Sequence, residues 1–221
     1  MRITLLCNNP KHPVNEWLNR WIEKRSDNHE VTICRDRKQI PGGDVLFLIS
    51  CSQIIDAAAR ALYNYTLVLH ASDLPKGRGW SPHVWDLLNG AEAITVSLLN
   101  AEDEVDTGAV WAKRTFTIPR HALHYEINEK LFDTEMAMID EGLYLIRAGV
   151  EPSAQSISVP PTYYPKRLPR DSEIDPDQPL SKTFNTIRLM DPIRFPAYFR
   201  LHGHCFSIEL KKVGCNEDHF D

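Results

Sequence analysis

The 221-residue chain predicts an α/β fold: a mainly parallel, Rossmann-like sheet with a small C-terminal α+β subdomain. Three observations carry that reading. Short aliphatic runs alternate with segments of helical period over residues 1–150, the pattern of successive βαβ units. Two runs, Asp44–Ser50 (DVLFLIS) and Thr66–His70 (TLVLH), are almost continuously apolar, which suits central strands covered on both faces. After Val150 the composition changes, with seven prolines in residues 151–180, so the chain divides into residues 1–152 and residues 153–221.

In order, Arg2–Cys7 reads as a strand and Pro13–Lys24 as a helix with Trp17, Leu18 and Trp21 on one face. Glu30–Cys34 is the second strand. The Pro41-Gly42-Gly43 turn leads into Asp44–Ser50, and an alanine-rich helix is expected over Ile54–Leu62. Thr66–His70 follows as a buried strand. Pro82 opens a helix to Asn89 that Gly90 stops. Ile94–Leu98 and Ala109–Thr117 are strands. Leu123, Ile127, Leu131, Met136, Ile139, Leu143 and Ile146 recur at helical spacing, so one long helix covers Arg120–Ala148 and Gly149 caps it. Such a stripe packs on the sheet or on a partner subunit. The 151–180 stretch reads as an extended linker. A short helix follows over Leu180–Leu189, then a hairpin turning at His202-Gly203.

Composition narrows the function. A net charge of −5 disfavours a nucleic-acid partner. No run reaches the roughly 18 apolar residues of a membrane span, and the N-terminal run is too short for a signal peptide. Five cysteines without a CxxC pair suit free thiols in a cytoplasmic protein. His202-Gly203-His204-Cys205 and His121 with His124 resemble metal motifs but lack a third ligand, so no metal site is expected.

The chemistry concentrates between His70 and Gly108. In open α/β sheets ligands bind beyond the carboxyl ends of the strands, where both Ser50-Cys51-Ser52 and His70 fall. His70 and Asp106 can bring an imidazole and a carboxylate together at the sheet edge. Ser72 completes only a superficial Ser-His-Asp set, because no GxSxG elbow is present. Lys76 with Arg78, and Arg167 near Pro165, form small basic clusters of the size that suits a diphosphate.

The ordered set His70-Ala71-Ser72-Asp73-Leu74-Pro75, Arg78-Gly79, Pro82, Ala93-Ile94-Thr95-Val96 and Asp106-Thr107-Gly108 resembles the 10-formyltetrahydrofolate-dependent formyltransferases. Tyr163-Tyr164-Pro165, Arg170–Asp175, Phe184-Asn185 and Arg188 look like the linker and small subdomain of the sugar N-formyltransferase branch, closest to the enzymes acting on UDP-linked 4-amino sugars. The resemblance implies that His70 and Asp106 are catalytic, with His70 donating a hydrogen bond to the formyl oxygen. It implies that 10-formyltetrahydrofolate is held by Ser50, Cys51, Ser52, Ser72, Asp73, Leu74, Pro75, Leu99, Asn100, Ala101 and Val105. Lys76, Arg78, Trp80, Arg167 and Arg188 are the candidates for binding a UDP- or dTDP-linked amino-dideoxy sugar; the oligomeric state is left open, the long helix and the C-terminal hairpin each being able to build a homodimer. One position departs from the pattern: the family carries Asn two residues before the histidine, and Val68 stands there. Asn64, Thr66, Ser50, Ser52 and Asn100 are the polar groups nearby. A folate- or nucleotide-binding module without turnover, and a formyltransferase for another amine, are the competing readings.

Overall fold

The computed structural model describes residues 1–214; Cys215 and the end of the 153–221 unit lie outside the described residues. β1 (Arg2–Leu6), α1 (Val14–Arg25), β2 (Glu30–Cys34), β3 (Gly43–Leu48), α2 (Ala57–Arg60) and β4 (Tyr63–His70) form the first half of the domain. β5 (Arg78–Gly79), α3 (Pro82–Leu88), β6 (Ala93–Asn100), β7 (Val110–Thr117) and α4 (His124–Arg147) complete it. The sheet order is β2-β1-β3-β4-β6-β7. β1 to β4 run parallel, β6 runs antiparallel to β4, and β7 is antiparallel to β6.

The apolar runs take the centre of the sheet because both faces there are covered. Phe47, Leu67 and Leu98 are fully buried in the main core, each contributing about 1.5–3 kcal/mol by leaving water. α1 buries Val14, Leu18 and Trp21 at spacings of four and three residues. Trp21 Nε1 and Arg25 both donate to Asp140 on α4, which ties the two helices together. α4 lays Ile127, Leu131, Met138 and Leu143 into the same core.

Two elements differ from the sequence expectation. The helix expected over Ile54–Leu62 shrinks to α2, because the Asp56 side chain caps it by accepting from Ala59 N and Leu62 already bonds Gly43 at the entry to β3. α4 starts at His124, where Glu126 accepts from the Leu123 backbone N–H.

The proline-rich stretch returns to the domain. Its β8 (Tyr163–Tyr164) pairs parallel to β5. α5 (Leu180–Leu189) then packs on α3, and β9 (Ala197–Leu201) with β10 (His204–Ile208) forms an antiparallel hairpin.

Candidate active site

His70 is the last residue of β4 and is 8% exposed. It stands opposite Ser97 on β6, and Ser97 stands opposite Lys113 on β7. Directly opposed residues share a face of an antiparallel pair, so these three form one row across the sheet. The row braces the loop that follows His70. Ser97 Oγ donates to Ser72 O at 2.7 Å, and Lys113 Nζ donates to Asp73 Oδ1 at 2.6 Å and to the Leu74 carbonyl. Neither Ser97 nor Lys113 stands out in the sequence, although Ser97 is the polar break in an apolar strand.

The loop after β6 carries Asp106 to the same place. Its backbone is left-handed, with φ of 60°, a conformation that aspartate tolerates better than most residues. Asp106 Oδ1 lies 3.5 Å from His70 Nδ1, and Oδ2 accepts from Gly79 N at 2.8 Å. Gly79 is required by geometry: with φ of +95°, a Cβ there would sit 2.4 Å from Tyr164 O. Gly108 allows a similar approach, since its Cβ would meet Asn100 O at 2.0 Å. The acidic loop is therefore closed by two glycines of the motif.

The linker adds a clamp that the sequence did not reveal. Gln155 Nε2 donates to Asp106 O at 2.8 Å and to Gly108 O at 3.0 Å, and its Oε1 accepts from Arg78 at 2.8 Å. Arg78 also donates to the Tyr163 hydroxyl at 2.9 Å. Pro75, Arg78, Thr107, Gln155, Ile157 and Pro161 are among the residues around an open cavity of about 450 Å³ beside this clamp.

The other candidate residues divide by position. Ser50, with φ of 47°, is exposed beyond β3, and Ser52 exchanges hydrogen bonds with Asn8. Burial pushes the Cys51 thiol up. Ser72 is buried and its Oγ has no hydrogen-bond partner among the described residues. Leu74 and Leu99 are buried, while Asp73 and Val105 are exposed. Asn100 Oδ1 accepts from Trp111 Nε1, and Ala101 N donates to Thr66 O. Lys76 is exposed, and Trp80 lies under the Lys166 ammonium at 5.0 Å. Arg167 donates to Ser172 Oγ and Met190 Sδ.

Two expectations change. His70 Nε2 faces the Gly77 carbonyl at 2.8 Å and Nδ1 faces Asp106, so in this structure neither nitrogen is directed at an external formyl oxygen. Arg188 is 3% exposed, with its guanidinium bonded to Ala122 O and Asn185 Oδ1. Burial lowers its pKa. It joins α5 to the main domain and has no free face for a diphosphate. Val68, by contrast, sits where the sequence placed it, paired between Leu48 and Leu99 with no polar atom to offer.

A family model described as Formyl transferase matches residues 11–143, a span that contains His70, Asp106 and the row that braces them. The chain belongs to the formyl transferase family. Solved members of this fold surround it. Methionyl-tRNA formyltransferase from Clostridium thermocellum superposes with a TM-score of 0.81 at 21% identity, over 97% of this chain and 94% of that one. HypX from Aquifex aeolicus in complex with tetrahydrofolic acid gives a TM-score of 0.81 at 21% identity, over 95% of this chain and 37% of that one. The formyltransferase PseJ from Anoxybacillus kamchatkensis, in complex with UDP-4,6-dideoxy-4-formamido-L-AltNAc and tetrahydrofolate, gives 0.60 at 24% identity over 75% and 86%. At these identities the likeness is one of fold, and the formyl transferase fold is what the chain shares with all three.

Proposed function

We propose that this formyl transferase moves a formyl group from 10-formyltetrahydrofolate to the amine of a UDP- or dTDP-linked amino-dideoxy sugar. The observation that carries the reading is the His70–Asp106 pair, 3.5 Å apart at the carboxyl end of β4. The reaction needs a neutral amine to attack the formyl carbon and then to lose a proton. A histidine backed by a carboxylate is suited to take that proton near neutral pH.

The residues present fit the folate donor. The buried Ser72 hydroxyl carries a hydrogen that no group among the described residues accepts, and Trp111 occupies the oxygen of the Asn100 amide, leaving its NH2 as the end to offer a ligand. Ser72–Pro75 and Leu99–Val105 would hold the donor, with Ser50–Ser52 along the same edge. The donor supplies the activated formyl carbon. Ser72 Oγ offers the polar hydrogen that Val68 does not.

The sugar acceptor rests on lesser support. The net charge of −5 disfavours a tRNA acceptor, and PseJ, a relative in fold, carries a UDP-linked formamido sugar beside tetrahydrofolate. Arg167, Lys76 and Trp80 are the groups proposed to meet the nucleotide. Arg78 is largely committed to the clamp.

Incubating the protein with formyl donor and a panel of UDP- and dTDP-linked amino sugars should add one formyl mass to one of them. His70→Asn should abolish that gain while the folded protein is retained. Formylation of methionyl-tRNA and of no amino sugar would overturn the acceptor assignment.

A further inference from the structure

We propose that Thr162, in the linker, is a positioning residue for His70: through Gly77 it fixes which ring nitrogen carries the hydrogen. This rests on the formyl-transfer reading above and extends it to the state of the imidazole that such a transfer needs. A neutral imidazole has one N–H and one lone pair, and His70 meets an oxygen on both sides. The Gly77 carbonyl opposite Nε2 and the Asp106 carboxylate opposite Nδ1 therefore compete for a single hydrogen. Charge favours the carboxylate, since ionised acceptors form the stronger bonds. Distance favours the carbonyl, because 2.8 Å is within the usual range for N–H···O and 3.5 Å lies beyond it. With the hydrogen on Nε2, the Nδ1 lone pair is left to take the amine proton beside a carboxylate that stabilises the resulting imidazolium. With the hydrogen on Nδ1 that base is lost, because the remaining lone pair faces the Gly77 carbonyl.

The outcome depends on where the Gly77 carbonyl is held, and Thr162 holds it. The Gly77 carbonyl and the Arg78 N–H belong to one planar trans peptide, so they point in opposite directions. Arg78 N donates to Thr162 O at 2.8 Å on the linker side, which turns the carbonyl toward His70. Gly77 N donates to the Thr162 hydroxyl at 2.8 Å, so the peptides on either side of Gly77 are both tied to this one residue. Gly77 is buried, and an N–H left unmet there is costly, which gives the hydroxyl its hold on the loop.

The same strand pair reaches Asp106. β5 lies on β8, and Trp80 N donates to Tyr164 O at 3.1 Å, toward the linker like Arg78 N. Gly79, between them, points its N–H the other way, to Asp106 Oδ2 at 2.8 Å. Successive amides of the strand thus alternate between the linker and the carboxylate. Docking of β8 thereby places an acceptor for His70 Nε2 and a donor for Asp106 on one short piece of chain. Thr162 is the linker residue whose side chain bonds the start of that piece.

The test compares Thr162→Val, which keeps the shape and removes the hydroxyl, and Thr162→Ser, which keeps the hydroxyl, with the wild-type full chain. The tautomer of His70 is read from the nitrogen NMR shifts of its ring, at a pH where the ring is neutral, with His70→Asn to assign the signals. The wild type should carry the hydrogen on Nε2, and the Val variant should move it in whole or in part to Nδ1. With 10-formyltetrahydrofolate and whichever amino sugar nucleotide the wild type formylates, the Val variant should lose about 10-fold in kcat with KM for both substrates unchanged. The Ser variant should restore both the tautomer and kcat. A wild-type ring with its hydrogen on Nδ1 overturns the proposal, as does a Val variant that keeps the wild-type tautomer. A Ser variant that behaves as the Val variant does also overturns it, since the hydroxyl is then not the group that acts. A Val variant that fails to fold beside a native Ser variant marks a structural residue and overturns it too. Wild-type protein that formylates no amine overturns the formyl-transfer reading itself, a separate outcome, because the tautomer is read without substrate.

Discussion

At the residue scale, His70 is held between two acceptors, the Gly77 carbonyl at 2.8 Å and the Asp106 carboxylate at 3.5 Å. A carbonyl only accepts, so Nε2 carries the hydrogen on that side. On the proposed formyl-transfer reading, Nδ1 is then the nitrogen left to exchange a proton in front of Asp106. Replacing Asp106 by Asn keeps the oxygen that Gly79 N needs but removes the negative charge opposite Nδ1. Turnover should fall about 100- to 10,000-fold, with the melting temperature nearly unchanged. Steady-state rates beside a thermal melt check both, and an Asn variant of full activity would remove the carboxylate charge from the mechanism. His70 and Asp106 were legible in the sequence because a polar residue ending an apolar strand, and an acid before Thr-Gly, are local patterns. Arg188 was misread for the converse reason. A cation in a sequence carries no mark of whether its partner is a ligand or, as here, the Ala122 carbonyl.

At the element scale, the site is assembled by pieces distant in sequence. β4 supplies His70, the β6–β7 loop supplies Asp106, and the linker supplies Gln155. The apolar runs and the helical stripe marked the sheet, α1, α4 and α5, because burial on one or both faces imposes a period. Pairing of β8 with β5 was not legible. Two residues in each strand are too few to show any alternation, and prolines around Tyr163 read as loop. Gln155 was missed with them, since its value lies wholly in contacts to residues about 50 and 80 positions away. Gln155→Ala strips the Asp106 and Gly108 carbonyls of a shared donor and frees Arg78. It should destabilise the protein by about 1–3 kcal/mol and lower kcat about tenfold, since a misplaced Asp106 costs turnover more readily than binding. Unaltered kcat with lowered stability would confine Gln155 to a structural role.

At the scale of the whole molecule, buried ionisable groups set a narrow pH range for stability. Glu135 on α4 is 5% exposed, its Oε2 has no hydrogen-bond partner among the described residues, and burial pushes its carboxyl up to about 8. The unfolded chain titrates this group near 4.5, so its contribution is fully present below that pH and is lost as pH rises to about 8. The histidines act in the opposite direction. Burial, with Arg194 opposing Asp191, holds His12 down to about 4, and His83 is held equally low. Unfolded histidine titrates near 6.5, so acidification below that favours the unfolded chain, and stability is lost as pH falls toward 4. Between 4.5 and 6.5 two histidines gain with rising pH while one carboxyl loses; above 6.5 only the loss remains. The melting temperature should therefore peak near pH 6.5. Glu135→Gln, which is neutral at every pH, should leave the acid side almost unchanged and raise the melting temperature at pH 8 relative to the wild type. A thermal-melt series from pH 4 to pH 9 on both proteins reads this directly. Curves that stay parallel between pH 5 and pH 8 would show that Glu135 ionises in the fold as freely as in the unfolded chain, and that α4 does not bury a neutral acid against the sheet.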